Sequence, residues 1–253
     1  MKLIDSHCHI DFEEFSQDRT KVLQAARANK VEKLIVPAVM WSAWDDLITL
    51  CEQHRELHYA LGLHPMFIHA HEPQHLRELA DYLHRYRPCA VGEIGLDFYD
   101  RSLCIDKQKE FFEAQLAIAC EQAMPVILHV RKAHEEVLVA LKKYPVIGGI
   151  VHAYNGSMQQ AERYLKANFK FGFGGMLTFE RSTHLRHLAK HLPIESIVLE
   201  TDSPDMTVQQ HRGERNSPEY LHYCCSALAD IRQMSVQQIA DITSANTLQT
   251  LNL

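Results

Sequence analysis

Eight short apolar runs, each followed by a stretch of helical periodicity, constrain this chain more than any other feature. The runs are Leu3–Asp5, Lys33–Pro37, His58–Leu63, Cys89–Glu93, Pro125–His129, Gly149–His152, Phe169–Phe173 and Ser196–Glu200. Runs this apolar on both faces suit parallel strands covered by helices. Between them, Phe15–Asn29, Trp44–His54, Gln74–Tyr86, Asp106–Gln122, His134–Lys143, Met158–Ala167 and Thr183–His191 read as helices; Val22, Leu23 and Ala26 show the spacing in the first. Two closing helices fit Pro218–Arg232 and Val236–Thr247. Eight strand–helix units in 253 residues predict an α/β fold, a closed TIM (β/α)8 barrel forming a single domain over residues 1–253. A dinucleotide-binding open sheet fits less well, because no glycine-rich phosphate loop follows the first strand. The longest irregular stretch, Thr201–Ser217, comes just after strand eight, where an active-site loop belongs.

Composition narrows the function. Hydrophobic residues make up 46% and charged residues 23%, as expected for a soluble globular protein. The formal net charge of −6 disfavours a protein that coats duplex nucleic acid, since phosphate neutralisation needs basic excess. A small phosphorylated substrate, or a nucleic-acid end entering a pocket, remains compatible. Acidic residues and histidines arrive before any long apolar stretch, so neither a secretory signal nor a membrane span is expected. The seven cysteines form no C-x-x-C pair, and the adjacent Cys224 and Cys225 suit buried thiols on a helix. A reducing, cytoplasmic compartment is the expectation.

The chemistry concentrates at the strand ends. His7 and His9 are two apart at the end of the first strand, so both imidazoles leave on one side, as ligands for one cation. Glu93, His129, His152 and Asp202 end strands four, five, six and eight. In a barrel these C-terminal ends converge. Four histidines and two carboxylates fit a binuclear metal site with one carboxylate shared. Glu93 ends an apolar strand between Gly92 and Gly95, which packing explains poorly. Asp202, before Ser203-Pro204, reads either as a turn aspartate or as a ligand that takes a proton from attacking water. Glu200 is placed to orient a ligand imidazole, and Asp97 is either a similar partner or a helix-approach cap. With 17 histidines in the chain, many are ordinary surface residues. His184, His187 and His191, on one helical face, are assigned no ligand role, nor are His54, His58, His75 and His84. The loop residues His69 and His71 are weak candidates.

Six segments then carry a resemblance. Ile4-Asp-Ser-His-Cys-His-Ile-Asp11, Gly62-Leu-His-Pro65, Gly92-Glu-Ile-Gly-Leu-Asp97, Pro125-Val-Ile-Leu-His-Val-Arg131, Val151-His-Ala-Tyr-Asn-Gly156 and Leu199-Glu-Thr-Asp-Ser-Pro204 resemble the TatD family of metal-dependent deoxyribonucleases. They occur in order over nearly the whole chain. The resemblance implies a TIM-barrel hydrolase with two divalent cations. It implies His7, His9, Glu93 and Asp202 around one, and Glu93, His129 and His152 around the other. The family's late Arg-Asn-Glu-Pro segment is Arg215-Asn-Ser-Pro218 here, with Ser217 in place of the glutamate, and its Asn-Ala segment is partly kept around Asn246.

On this basis the expected catalytic residues are Asp202, as proton acceptor, and Glu93, as bridge. His64, Arg131, Arg212 and Arg215 are candidate phosphate contacts. Magnesium, manganese and zinc all suit the mixed donor set. The expected substrate is a phosphodiester, DNA ends or single strands, with no membrane and no obligate protein partner. Two alternatives stand beside this: an amide, lactone or other ester hydrolase of the amidohydrolase type, and a non-catalytic metal-binding protein. No lysine occupies the end of strand four, where many amidohydrolases carry a carboxylated lysine bridge.

Overall fold

Each strand of the protein pairs in parallel with the next one in sequence. The computed structural model describes residues Met1–Leu253. The strands are β1 (Leu3–Asp5), β2 (Val31–Pro37), β3 (Leu57–Leu61), β4 (Ala90–Asp97), β5 (Val126–Arg131), β6 (Gly149–Val151), β7 (Phe169–Phe173) and β8 (Ile197–Leu199). The Ser6 N–H donates to the Leu199 carbonyl at 2.9 Å, which brings the last strand back to the first and closes a TIM barrel. Helices α1 (Arg19–Ala28), α2 (Trp44–Gln53), α3 (Pro73–Tyr86), α4 (Ile105–Glu121), α5 (His134–Lys143), α6 (Met158–Lys166) and α7 (Thr183–His191) connect the strands, and α8 (Leu221–Arg232) and α9 (Val236–Leu251) follow β8.

Local chemistry explains the helix ends. Ser157 and Gln160 form a capping box on α6, and Ser235 and Gln238 form one on α9. In α5 the acidic Glu135 and Glu136 sit in the first turn and Lys142 and Lys143 in the last, matching the helix dipole. The main core fills the space between sheet and helices. A second apolar cluster joins Ile35, Ala60, Ala90, Ile127, Ile150 and Val198, one from each of six strands, with Leu251 of α9. Burying a leucine of this kind contributes about 1.5–3 kcal/mol. All seven cysteines are free, with Cys224 and Cys225 buried on α8. No helix is long and apolar enough to cross a membrane.

Several element ends differ from the expected ones, each for a visible reason. The first helix starts at Arg19 rather than Phe15, after a 3-10 turn at Glu13–Phe15. The Arg19 guanidinium donates to the carbonyls of Ile10 and Asp11 at 2.8 Å and of Phe12 at 3.3 Å, holding the preceding segment as a loop. Strand β3 stops at Leu61, because the side-chain amide of Gln115 takes both the N–H and the carbonyl of Leu63. Strands β4 and β5 run past Glu93 and His129 to Asp97 and Arg131, which pair with each other. Helix α8 starts at Leu221 after a 3-10 turn at Pro218–Tyr220, and α9 runs beyond Thr247 to Leu251, whose side chain is buried.

Candidate metal centre and active site

The six strand-end residues meet around one carboxylate. Glu93, in the middle of β4, is 1% exposed, and its two oxygens face different histidines. Oε2 lies 3.0 Å from His7 Nε2 and 3.6 Å from His9 Nε2. Oε1 lies 3.1 Å from His129 Nδ1, 3.2 Å from His152 Nε2 and 3.1 Å from His64 Nε2. Asp202 stands with the first group: its Oδ1 is 3.6 Å from His7 Nε2 and 3.8 Å from His9 Nε2. The rings of His7 and His152 stack at 4.0 Å between centroids, joining the two halves.

Backbone geometry holds each half in place. The segments after β1 and β8 lie side by side: Asp202 N–H donates to the His7 carbonyl at 2.9 Å, and His9 N–H to the Ser203 carbonyl at 2.8 Å. Beneath them, Asp5 accepts from Thr201 N at 2.9 Å, Thr201 Oγ1 at 2.6 Å and His7 N at 3.3 Å. Asp202 has φ of 56°, a left-handed conformation that aspartate and asparagine tolerate better than most residues. The buried Asn216 amide donates to the carbonyls of Thr201 and Asp205 at 2.8 and 2.7 Å. On the other side, Gly95 has φ of 149°, and a Cβ there would lie 1.9 Å from the His129 carbonyl oxygen. Only glycine lets β4 and β5 approach this closely where Glu93 and His129 meet.

Further contacts decide which ring nitrogens face the site. Asp97 Oδ2 accepts from His129 Nε2 at 2.9 Å, which leaves the Nδ1 lone pair aimed inward. Glu200 Oε1 lies 3.7 Å from His152 Nδ1 and accepts from Ala153 N at 2.6 Å. His64 is held the opposite way. Met66 N–H donates to its Nδ1 at 3.1 Å, so a neutral ring carries its proton on Nε2, as a donor toward Glu93. The buried His71 donates to the His64 carbonyl at 3.0 Å and braces that turn.

The electrostatics follow from one anion shared among imidazoles. Burial alone would raise the Glu93 carboxyl, but His64, His7, His152 and His129 outweigh it and hold the pKa well below the usual range. Burial lowers His152, yet Glu93, Asp202 and Glu200 together push it up to about 10. Burial raises Asp202 to about 6, against the lowering pull of His152 and His7. His9 is lowered well below an ordinary histidine, first by burial and then by His7.

The four candidate phosphate contacts have different settings. His64 lies inside the cluster, as above. Arg131 is exposed at the end of β5, with its guanidinium carbon 3.7 Å from the centroid of the Tyr99 ring. Arg212 is exposed on the loop after β8. Arg215 is the exception: it meets both oxygens of Asp18 at 3.0 and 2.7 Å, donates to the Glu14 carbonyl and covers the Phe15 ring. It ties the β8 loop to the segment before α1. Ser217, the departure from the family motif, is buried and donates to Glu219 Oε1 at 3.2 Å. Asn246 donates to the carbonyls of Ile194 and Ile197, stitching α9 to β8.

The sequence singled out neither the Asp5–Thr201 clasp nor the Arg19 clamp. Both lie within or beside quoted motifs, but their partners, backbone groups and the Thr201 hydroxyl, are ones that no spacing rule identifies.

The donor set fits divalent cations. Imidazole nitrogens and carboxylate oxygens converge within metal-site spacing, in the groups His7–His9–Asp202, His7–Glu93–His152 and His64–Glu93–His129. A TIM barrel with this cluster at its mouth defines the class of metal-dependent hydrolases. The sequence model described as TatD related DNase matches residues 4–252. The chain belongs to the TatD family. It is 37% identical to the uncharacterized metal-dependent hydrolase YjjV of Escherichia coli K12, over 100% of this chain and 98% of that protein. It is 32% identical to the uncharacterized metal-dependent hydrolase YabD of Bacillus subtilis, over 96% of each. The crystal structure of the E. coli K12 YjjV, a TatD homologue, superposes with a TM-score of 0.95 at 36% identity, covering 99% of this chain and 98% of that one.

Proposed function

We infer that the protein hydrolyses phosphodiester bonds of DNA, at ends or in single strands, using two divalent cations. The observation that carries this is the division of the Glu93 carboxylate between two sets of imidazoles, with nitrogens 3.0–3.2 Å from its oxygens. In this function His7, His9 and Asp202 would hold one cation and His129 and His152 the other, with Glu93 available to both sets. Cations bound there would supply Lewis acidity, lowering the pKa of water and offsetting negative charge on the phosphoryl oxygens.

The protein's own groups do the rest. With a pKa of about 6, Asp202 is mostly ionised at neutral pH and accepts the proton of the attacking water. His64 presents Nε2–H to a non-bridging oxygen, the role its fixed ring orientation suits. Asp97 keeps His129 turned toward the site, and the Glu200 carboxylate faces His152 Nδ1 at 3.7 Å. Arg131 and Arg212, both exposed, are the cationic side chains left for further phosphates. The family membership supports DNA as substrate, and the negative net charge favours local rather than duplex-coating contact.

The deciding experiment assays wild type and Asp202→Asn, with added Mn²⁺ or Zn²⁺, on a phosphodiester, a single-stranded oligonucleotide and a lactone. Metal-dependent cleavage of the first two by wild type, lost in Asp202→Asn, is expected. Turnover of the lactone alone would put the protein with the amidohydrolase alternative instead.

A further inference from the structure

The loop leaving β4 sets an exposed aromatic ring at the barrel mouth. Tyr99 is 59% exposed. Its N–H is fixed by Asp97 Oδ1 at 2.9 Å, and the same carboxylate holds His129 in the site. Its ring is fixed by Arg131, which pairs with Asp97 in the β4–β5 register and stands two residues beyond His129, on the same face of β5. Arg27, Arg163 and Arg215 each meet a carboxylate; Arg131 meets this ring instead. A guanidinium stacked on one aromatic face holds the ring still while its charge stays available to an anion. The rest of the ring remains open to a second planar group.

We propose that Tyr99, held by Arg131, is a seat on which one unpaired base stacks beside the phosphate to be cleaved, a proposal that rests on the phosphodiester function above. Stacking on an aromatic face tolerates any base, because every base has a π-face. The seat therefore selects a single-stranded nucleotide over a duplex interior, with little preference among the four bases. Arg131 lies between this seat and His129 along the strand direction, where it faces the backbone of the same nucleotide.

The test uses the full-length, Mn²⁺-loaded protein and two kinds of substrate. One is methyl p-nitrophenyl phosphate, which has no base. The other is a single-stranded DNA oligonucleotide, intact or with one abasic residue moved stepwise along it. In wild type, one abasic position next to the cleaved bond should lower kcat/KM by roughly five- to a hundredfold, the size of one base–aromatic stack. Tyr99→Ala should show that loss on the intact oligonucleotide and no further loss at the abasic position. Tyr99→Phe should retain the wild-type pattern. The ratio of oligonucleotide to methyl p-nitrophenyl phosphate kcat/KM should fall in Tyr99→Ala. Absence of any abasic penalty in wild type, a penalty that persists in Tyr99→Ala, or equal loss on both substrates overturns the seat. Wild type that cleaves the small diester and not the oligonucleotide, or neither, overturns the DNA function and the seat with it.

Discussion

Asp97 and His129 are joined by a 2.9 Å hydrogen bond from Nε2 to Oδ2, while the other ring nitrogen, Nδ1, lies 3.1 Å from Glu93. His129 thus lies between two carboxylates, and Asp97, outside the cluster, fixes which ring nitrogen faces inward. Carboxylates in this position raise the basicity of a ligand imidazole and fix its orientation. Replacing Asp97 with Ala should weaken divalent-cation binding by about 10–100-fold. Competition with a chelator of known affinity measures this, and unchanged affinity would contradict the role.

Cation binding should release protons. His152 is held protonated up to about pH 10 by Glu93, Asp202 and Glu200, and a ligand imidazole must be neutral. At neutral pH the incoming cation therefore displaces a proton from His152. The sign follows: affinity rises with pH until about 10, by about one decade per unit for one displaced proton. Below about 6 the dependence steepens, because Asp202 is also protonated there. Calorimetry in buffers of different ionisation enthalpy counts the protons, and a count of zero at pH 7 would refute this coupling.

Asn216 links the loop after β8 to the site. Its side chain donates to Thr201 and Asp205 carbonyls and accepts from Ser217 N; the bonds to Thr201 and Ser217 are buried and that to Asp205 is partly so. Asn216→Ala should cost about 1–3 kcal/mol of stability, because buried carbonyls lose their donors. It should also lower kcat, since Asp202 lies next to Thr201. Urea unfolding and steady-state kinetics read both effects; a stability change within about 0.5 kcal/mol would show the loop to be held elsewhere.

Gly95→Ala tests the closeness of β4 and β5. The added Cβ would meet the His129 carbonyl at 1.9 Å, and φ of 149° suits glycine. The strands must part where Glu93 and His129 meet, at a cost of about 3 kcal/mol. Thermal unfolding should show a marked loss, together with weaker cation binding. A variant with wild-type stability and affinity would show that the strands have room to spare.

Much of this was legible in the chain because the signals are local. The apolar runs mark the strands, and strand ends in a barrel must converge, so His7, His9, Glu93, His129, His152 and Asp202 could be grouped by topology alone. What stayed hidden depends on partners distant in sequence. Gln108 and Gln115 sit among the apolar residues of α4 and look like blemishes in its buried face. Each instead satisfies a backbone segment, at Asp97 and Leu63 respectively. Arg215 reads as a free cation until Asp18, 197 residues away, is seen opposite it. His64 lies at a strand end like the other histidines, but its ring orientation depends on the Met66 backbone N–H, which sequence spacing does not reveal.

The division of Glu93 between two cations is tested by anomalous scattering from crystals of the Mn²⁺- or Zn²⁺-loaded protein. Two ions should appear, with His7, His9 and Asp202 on one, His129 and His152 on the other, and Glu93 touching both. A single ion, or Asp202 on the ion held by His129 and His152, would contradict the assignment.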